Sequence, residues 1–96
     1  MTRYLTLLNF TDQGIRDVNN SIKRAEAFRQ RVETAGGKLV SQYWSTGDAD
    51  GCVVFEAPDE QTGAALLLSL AQKGDVRTRT IRVFDTQEFQ DVLNAT

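Results

Sequence analysis

The side chains of this sequence that could perform chemistry are carboxylates, arginines, aromatic rings and one thiol, and histidine is absent. Histidine is the usual general base near pH 7 and the commonest metal ligand, so its absence excludes many catalytic mechanisms. A zinc site would need carboxylates and Cys52 alone, a ligand set that suits zinc poorly. We therefore predict no metal and no cofactor.

Two carboxylates, Asp48 and Asp50, stand on either side of Ala49 in a loop over residues 46–51. Such a pair could bind a cation or act as acid and base. Calcium needs about six oxygen ligands or more, however, and Asp and Gly are also ordinary turn formers. We expect a turn here, and Asp50 is a candidate binding residue.

The late part of the chain carries side chains that could hold a carboxylate or phosphate: Arg77, Arg79, Arg82, Thr78 and Thr80. Charged side chains on an edge strand also prevent unwanted sheet pairing. Both interpretations stay open, and Arg77 and Arg79 are the candidate binding residues.

Three further residues are candidates for a pocket. Tyr43 and Trp44 are adjacent, so in a strand one packs under a helix and the other lines the open face, and only the aromatic on the open face is a candidate pocket wall. Asn9 could be a polar contact in an apolar pocket or a strand-end cap. Cys52 is expected to be a core residue rather than a nucleophile, because no histidine can activate it.

Hydrophobic periodicity predicts the elements that must position these residues. Alternating or apolar runs indicate strands over residues 2–10, 38–45, 52–57 and 77–84. Apolar residues at three- and four-residue steps indicate helices over 20–35 and from the N-cap Asp59 to just before Gly74. A short last helix, capped by Thr86, places Phe89, Val92 and Leu93 on one face.

The order β-α-β-β-α-β with a C-terminal helix predicts an α+β, ferredoxin-like fold with a four-stranded antiparallel sheet in one domain, 1–96. Strands one and three are central, and both are largely apolar on both faces. A second copy is the simplest cover for the face without helices, so we predict a sheet-to-sheet homodimer. A monomer with a moderately apolar open face is the alternative.

Four ordered segments resemble the GYD domain family of small bacterial proteins: YLTLLNFTDQG (4–14), AGGKL (35–39), FEAPDEQT (55–62) and DVRTRTIRVF (75–84). The resemblance covers nearly the whole chain and implies the dimeric α+β barrel type of ferredoxin-like fold. The Gly-x-Tyr-Asp stretch that names the family falls on residues 47–50, where Ala49 replaces the tyrosine and Asp50 is kept. The family implies fold and association, and no established reaction.

Charge and composition limit the partners and the location. The net charge of −2 gives no general attraction to nucleic acid or anionic lipid, and no long apolar run or secretory signal occurs. An RNA recognition motif is disfavoured because Asp50 and Cys52 would fall at its base-stacking aromatic positions. With a single cysteine the expected location is cytoplasmic.

Two classes of function remain. The first is a non-catalytic binding or assembly module, a homodimer or higher oligomer, that encloses a small organic ligand between sheet and helices. The second is a cofactor-free enzyme of the oxygenase or isomerase type, which rests on fold analogy alone.

Overall fold

A computed structural model describes residues 1–96, with four strands and four α-helices. In chain order these are β1 (Thr2–Phe10), α1 (Asp12–Arg16), α2 (Ser21–Thr34), β2 (Lys38–Trp44), β3 (Gly51–Ala57), α3 (Glu60–Gln72), β4 (Val76–Val83) and α4 (Thr86–Asn94), with a 3-10 turn, Val18–Asn20, before α2. The sheet order is β2-β3-β1-β4 and every neighbouring pair is antiparallel. The predicted ferredoxin-like α+β fold is confirmed.

The element ends follow the sequence signals closely, with two corrections. Residues 11–14, Thr-Asp-Gln-Gly, are typical of a turn and predict one after β1, but the chain forms a single helical turn there, α1, and the Thr11 hydroxyl accepts the Gly14 N–H at 3.1 Å. The cap of α4 is Asp85 and not Thr86, because Asp85 forms a capping box with Glu88. The reciprocal bonds satisfy two backbone donors that a threonine one position later would leave open.

The core lies between one face of the sheet and the helices α2 and α3. Phe55, which is fully buried, stacks against Tyr4 at 5.4 Å between ring centroids and meets Phe28 edge-on at 5.5 Å. The buried Thr6 hydroxyl is hydrogen-bonded to the Thr80 hydroxyl at 2.9 Å, so the cost of removing this polar group from water is offset by a hydrogen bond. The helix-covered face is therefore closely packed, and its buried hydroxyl has a hydrogen-bond partner.

Close packing explains why a glycine occupies the interior of α3. A Cβ added at Gly63 would lie 2.6 Å from Cε2 of Tyr4, well inside van der Waals contact. Glycine weakens a helix interior by about 1 kcal/mol relative to alanine. The absence of a Cβ at this position allows α3 to approach the central strand β1 closely and to pack against the ring of Tyr4.

The opposite face of the sheet carries no helix of its own chain. The C-terminal helix α4 begins at its margin, where Arg3 bonds Glu56 and Glu88 at 2.6 Å each. No residue of α4 is buried. The helix is thus tied to the open face at its first turn and otherwise projects from the chain.

None of the four helices combines the length and the apolar character that crossing a membrane would require.

Candidate functional site

A cleft opens at the end of the molecule where β1 and β2 finish and β3 and β4 begin. The start of α2 and the end of α3 lie above it, so the cleft is bounded by the helix-covered face of the sheet and by both helices. Its cavity volume is about 70 Å³, and the empty space rises to about 780 Å³ when the part open to solvent is counted. Its apolar walls are formed by Leu8, Phe28, Trp44, Val53 and Leu70.

Charged side chains at the mouth of the cleft differ in whether they are paired. Arg24 lies 3.7 Å from Asp75 and 3.1 Å from Asp17, and it also donates to a backbone carbonyl of α1. Arg31 and Lys73 border the same cleft, and neither lies within 4.0 Å of a carboxylate. Arg24 therefore acts as a structural anchor, while two cations are left free at the opening.

Asp50 occupies a structural position beside the cleft. Its carboxylate accepts the Phe10 N–H at 2.8 Å, and its own N–H donates to the Leu8 carbonyl at 2.8 Å. These bonds fasten the β2–β3 loop to the end of β1. The carboxylate that the sequence singled out is thus engaged with the backbone.

The six candidate residues divide between two places. Trp44 and Asp50 line the cleft, and Tyr43 borders it. Trp44 is in register with Gly51 on the helix-covered face, whereas Tyr43 is in register with Cys52 on the open face, where it is 63% exposed. The two adjacent aromatic residues therefore lie on opposite faces, as the sequence predicts. The aromatic on the side of the cleft is Trp44, whereas the sequence favoured the open-face aromatic, which is Tyr43, as a pocket wall.

The other three candidates meet on the open face. Asn9 and Arg77 are opposite one another across β1 and β4, and Arg79 donates to the Asn9 side-chain oxygen at 3.3 Å. The Asn9 amide in turn donates to the Asp48 carbonyl at 2.9 Å. The threonines of β4 point the other way, since Thr80 is bonded to Thr6 in the core. Arg77 and Arg79 therefore lie on the open face, whereas Thr78, Thr80 and Arg82 lie on the helix-covered face.

The middle of the open face is apolar on the strands β4, β1 and β3. One row runs Ile81, Leu5 and Val54 from β4 through β1 to β3, and the next includes Leu7 and Cys52. We call these five residues the open-face patch. Ile81 is 59% exposed and the others are half-buried.

Sequence reasoning missed the two free cations of the cleft. Arg24 and Arg31 are seven residues apart in α2, which is close to two helical turns, so they share one face. That spacing was a signal for Arg31. Lys73 had none, because its position follows from how α3 ends above the sheet.

Two groups outside the cleft have shifted pKa values. The pKa of Arg3 is raised, chiefly by its hydrogen bond with Glu56. The pKa of Asp59 is lowered because its carboxylate accepts the Thr62 N–H at the start of α3. Both shifts come from interactions that hold elements in place.

The fold and the cleft define a ferredoxin-like α+β subunit, the type from which dimeric α+β barrels are built. Residues 4–93 match the family model described as the GYD domain, and the chain belongs to the GYD domain family. A relative from Thermus thermophilus, described as glutamine synthetase and cystathionine beta-lyase binding protein, is 33% identical over 82 residues. The alignment covers 84% of this chain and 86% of the relative.

Solved structures share the fold at low sequence identity. The crystal structure of TTHA0845 from Thermus thermophilus has a TM-score of 0.57 at 16% identity, covering 90% of this chain and 96% of that one. The crystal structure of MtbAldR has a TM-score of 0.58 at 12% identity and covers 86% of this chain. This chain spans about half of MtbAldR, 52% of its length. These similarities concern the fold alone.

Proposed function

We propose that the chain is a non-catalytic binding module that works as a homodimer, joined through the open-face patch, and binds other proteins. The observation that carries the proposal is the apolar centre of the open face. Antiparallel sheets with a solvated face normally alternate apolar and polar residues. Here the two central strands present Leu5, Leu7 and Val54 to that side as well.

The arrangement of charge favours a second copy as the cover. The open-face patch itself contains no charged side chain. Arg3, Lys38 and Glu56 lie beyond one end and Arg77 beyond the other, and Arg79 flanks the patch on β4, in register with Leu7. A two-fold axis through the patch would bring apolar surface onto identical apolar surface. Such a contact removes water from both patches and leaves Arg79 at the margin of the contact.

The helix α4 extends the surface available for association. Phe89, Val92 and Leu93 are 51%, 41% and 52% exposed, on a helix whose first turn is held beside the open face by Arg3. An amphipathic helix with an uncovered stripe is a common means of docking to another protein. We propose that this stripe contacts the protein partner.

The identity of the relative supports protein partners. The Thermus thermophilus protein is described by its binding to glutamine synthetase and cystathionine beta-lyase, and it aligns with most of this chain. We propose binding to enzymes of this kind, in the cytoplasm. The cleft under α2 and α3 is proposed in addition to hold a small organic ligand.

Isothermal titration calorimetry with purified glutamine synthetase and cystathionine beta-lyase tests the protein-binding proposal. We expect saturable heat with at least one enzyme, and a weaker response when Phe89 is replaced by glutamate. A substitution of the exposed Ile22 by glutamate, on α2, is the matched control. The absence of saturable heat with both enzymes at concentrations of tens of micromolar would contradict the proposal.

A further inference from the structure

We infer that the cleft under α2 and α3 selects a small monocarboxylate with a bulky apolar body, whose carboxylate is held by Arg31 and Lys73. The inference rests on the proposed ligand-binding role of the cleft and is independent of dimerisation. It names the chemical class that the residues on the walls and at the mouth would recognise.

The walls require an apolar body. Leu8 and Val53 form the floor from the sheet, Phe28 contributes from α2 and Leu70 from α3, and Trp44 closes the side. A ring or branched alkyl group placed among them removes its apolar surface from water at about 25 cal/mol per Å². Aromatic walls also offer edge and face contacts to a ring.

The mouth of the cleft determines the charge of the ligand. Three cations and two carboxylates line the cleft: Arg24, Arg31, Lys73, Asp50 and Asp75. Both carboxylates already have partners, since Asp75 lies beside Arg24 and Asp50 accepts the Phe10 N–H. Arg24 is likewise engaged, with Asp17 and Asp75, so Arg31 and Lys73 are the two lining cations without a carboxylate partner, and this favours an anionic ligand.

Arginine is well suited to this role because its planar guanidinium can bond both oxygens of a carboxylate. Neither Arg31 nor Lys73 must first leave an acidic side chain to do so, since no carboxylate lies within 4.0 Å of either. The positive charge at the mouth of the cleft contrasts with the net charge of −2 on the whole chain. The charge preference is thus local to the cleft.

The single tryptophan makes the inference measurable, because Trp44 is a wall of the cleft. The probes are 4-tert-butylbenzoate and 4-tert-butylbenzamide, which share an apolar body and differ in charge. Each is titrated into the protein while Trp44 fluorescence and the Trp44 indole N–H signal are followed. We expect a saturable change with the benzoate and binding about tenfold weaker with the benzamide.

Substitutions at the mouth locate the carboxylate. In the double variant Arg31→Gln/Lys73→Gln the benzoate should lose about tenfold in affinity, while the benzamide should change by less than about twofold. Arg29→Gln is the matched control, since Arg29 lies on α2, faces Glu26 at 3.5 Å and does not line the cleft. All three substituted side chains are on the surface of their helices, so the fold should be kept.

The outcomes separate this inference from the proposed function. Equal affinity for benzoate and benzamide overturns the carboxylate preference and leaves a ligand cleft. No saturable change with either probe overturns the cleft as a ligand site. An equal loss in Arg29→Gln and in the double variant overturns the role of Arg31 and Lys73. None of these results bears on the mass of the protein in solution, which tests dimerisation separately.

Discussion

Replacing Val54 by glutamate places a charge at the centre of the open-face patch. Val54 is on the central strand β3, in register with Leu5 on β1 and Ser41 on β2. In a single chain the side chain is half-buried on the face without helices, so a glutamate can direct its carboxylate into water. The fold of the isolated subunit should therefore survive the change.

The effect on self-association should be large. In the proposed dimer each subunit would bring one carboxylate into apolar surface formed by the partner's identical patch, with no cation of the patch to pair it. An uncompensated buried charge costs about 3–5 kcal/mol. Even a single cost at the lower end raises the dimer Kd roughly a hundredfold.

Sedimentation velocity over a range of concentrations measures that change, with far-ultraviolet circular dichroism to confirm that the fold is kept. The matched control is Leu68→Glu, which adds the same charge on α3 at a residue that is 66% exposed and outside the patch. We expect Leu68→Glu to associate like the unmodified chain and Val54→Glu to sediment as a subunit. An unchanged dimer Kd in a folded Val54→Glu protein would refute the sheet-to-sheet contact.

Two further predictions concern aspartates that accept backbone hydrogen bonds and so stabilise the fold. Asp50→Ala leaves the Phe10 N–H without its acceptor and should lower the free energy of unfolding by about 1–3 kcal/mol, measured by urea denaturation; an unchanged midpoint would contradict the role of Asp50 as a loop fastener. For Asp59 the folded-state pKa is lowered below its ordinary 3.8, so its contribution to stability is present above that pH and is lost as pH falls through the folded pKa. The unmodified chain should therefore be more stable than Asp59→Asn at neutral pH, and this advantage should shrink below pH 3.8. The unfolding midpoints of both proteins, measured from pH 6 to about pH 2.5, test this. A difference between the midpoints that stays constant over this range would show that the ionised cap contributes nothing.

The sequence was sufficient for the fold because local signals and long-range pairing agree. Alternation located β1 at Thr2–Phe10 without error, and Asp59 was identified as the cap of α3 from its position before an apolar helical run. Alternation along β1 and β3 also places Tyr4 and Phe55 on one face of the sheet and Leu5 and Val54 on the other, and in the structure the first two are buried and the last two are not. Local periodicity fixes which face a residue occupies once the strand is known.

The cleft could not be derived in the same way. It is formed by residues from six elements, and whether a charge there is free depends on partners such as Asp75, which is distant in sequence from Arg24. The short helix α1 was missed because one turn is too brief to show helical periodicity. The cap of α4 was misplaced by one residue because Asp85 and Thr86 are both good N-caps, and the capping-box partner Glu88 decides between them.

The mass of the unmodified chain in solution tests the central claim most directly. Multi-angle light scattering at micromolar concentration should give twice the 10.7 kDa of one chain, because in the proposed dimer a second copy covers the apolar centre of the open face. A mass of 10.7 kDa at every concentration up to the millimolar range would contradict the account.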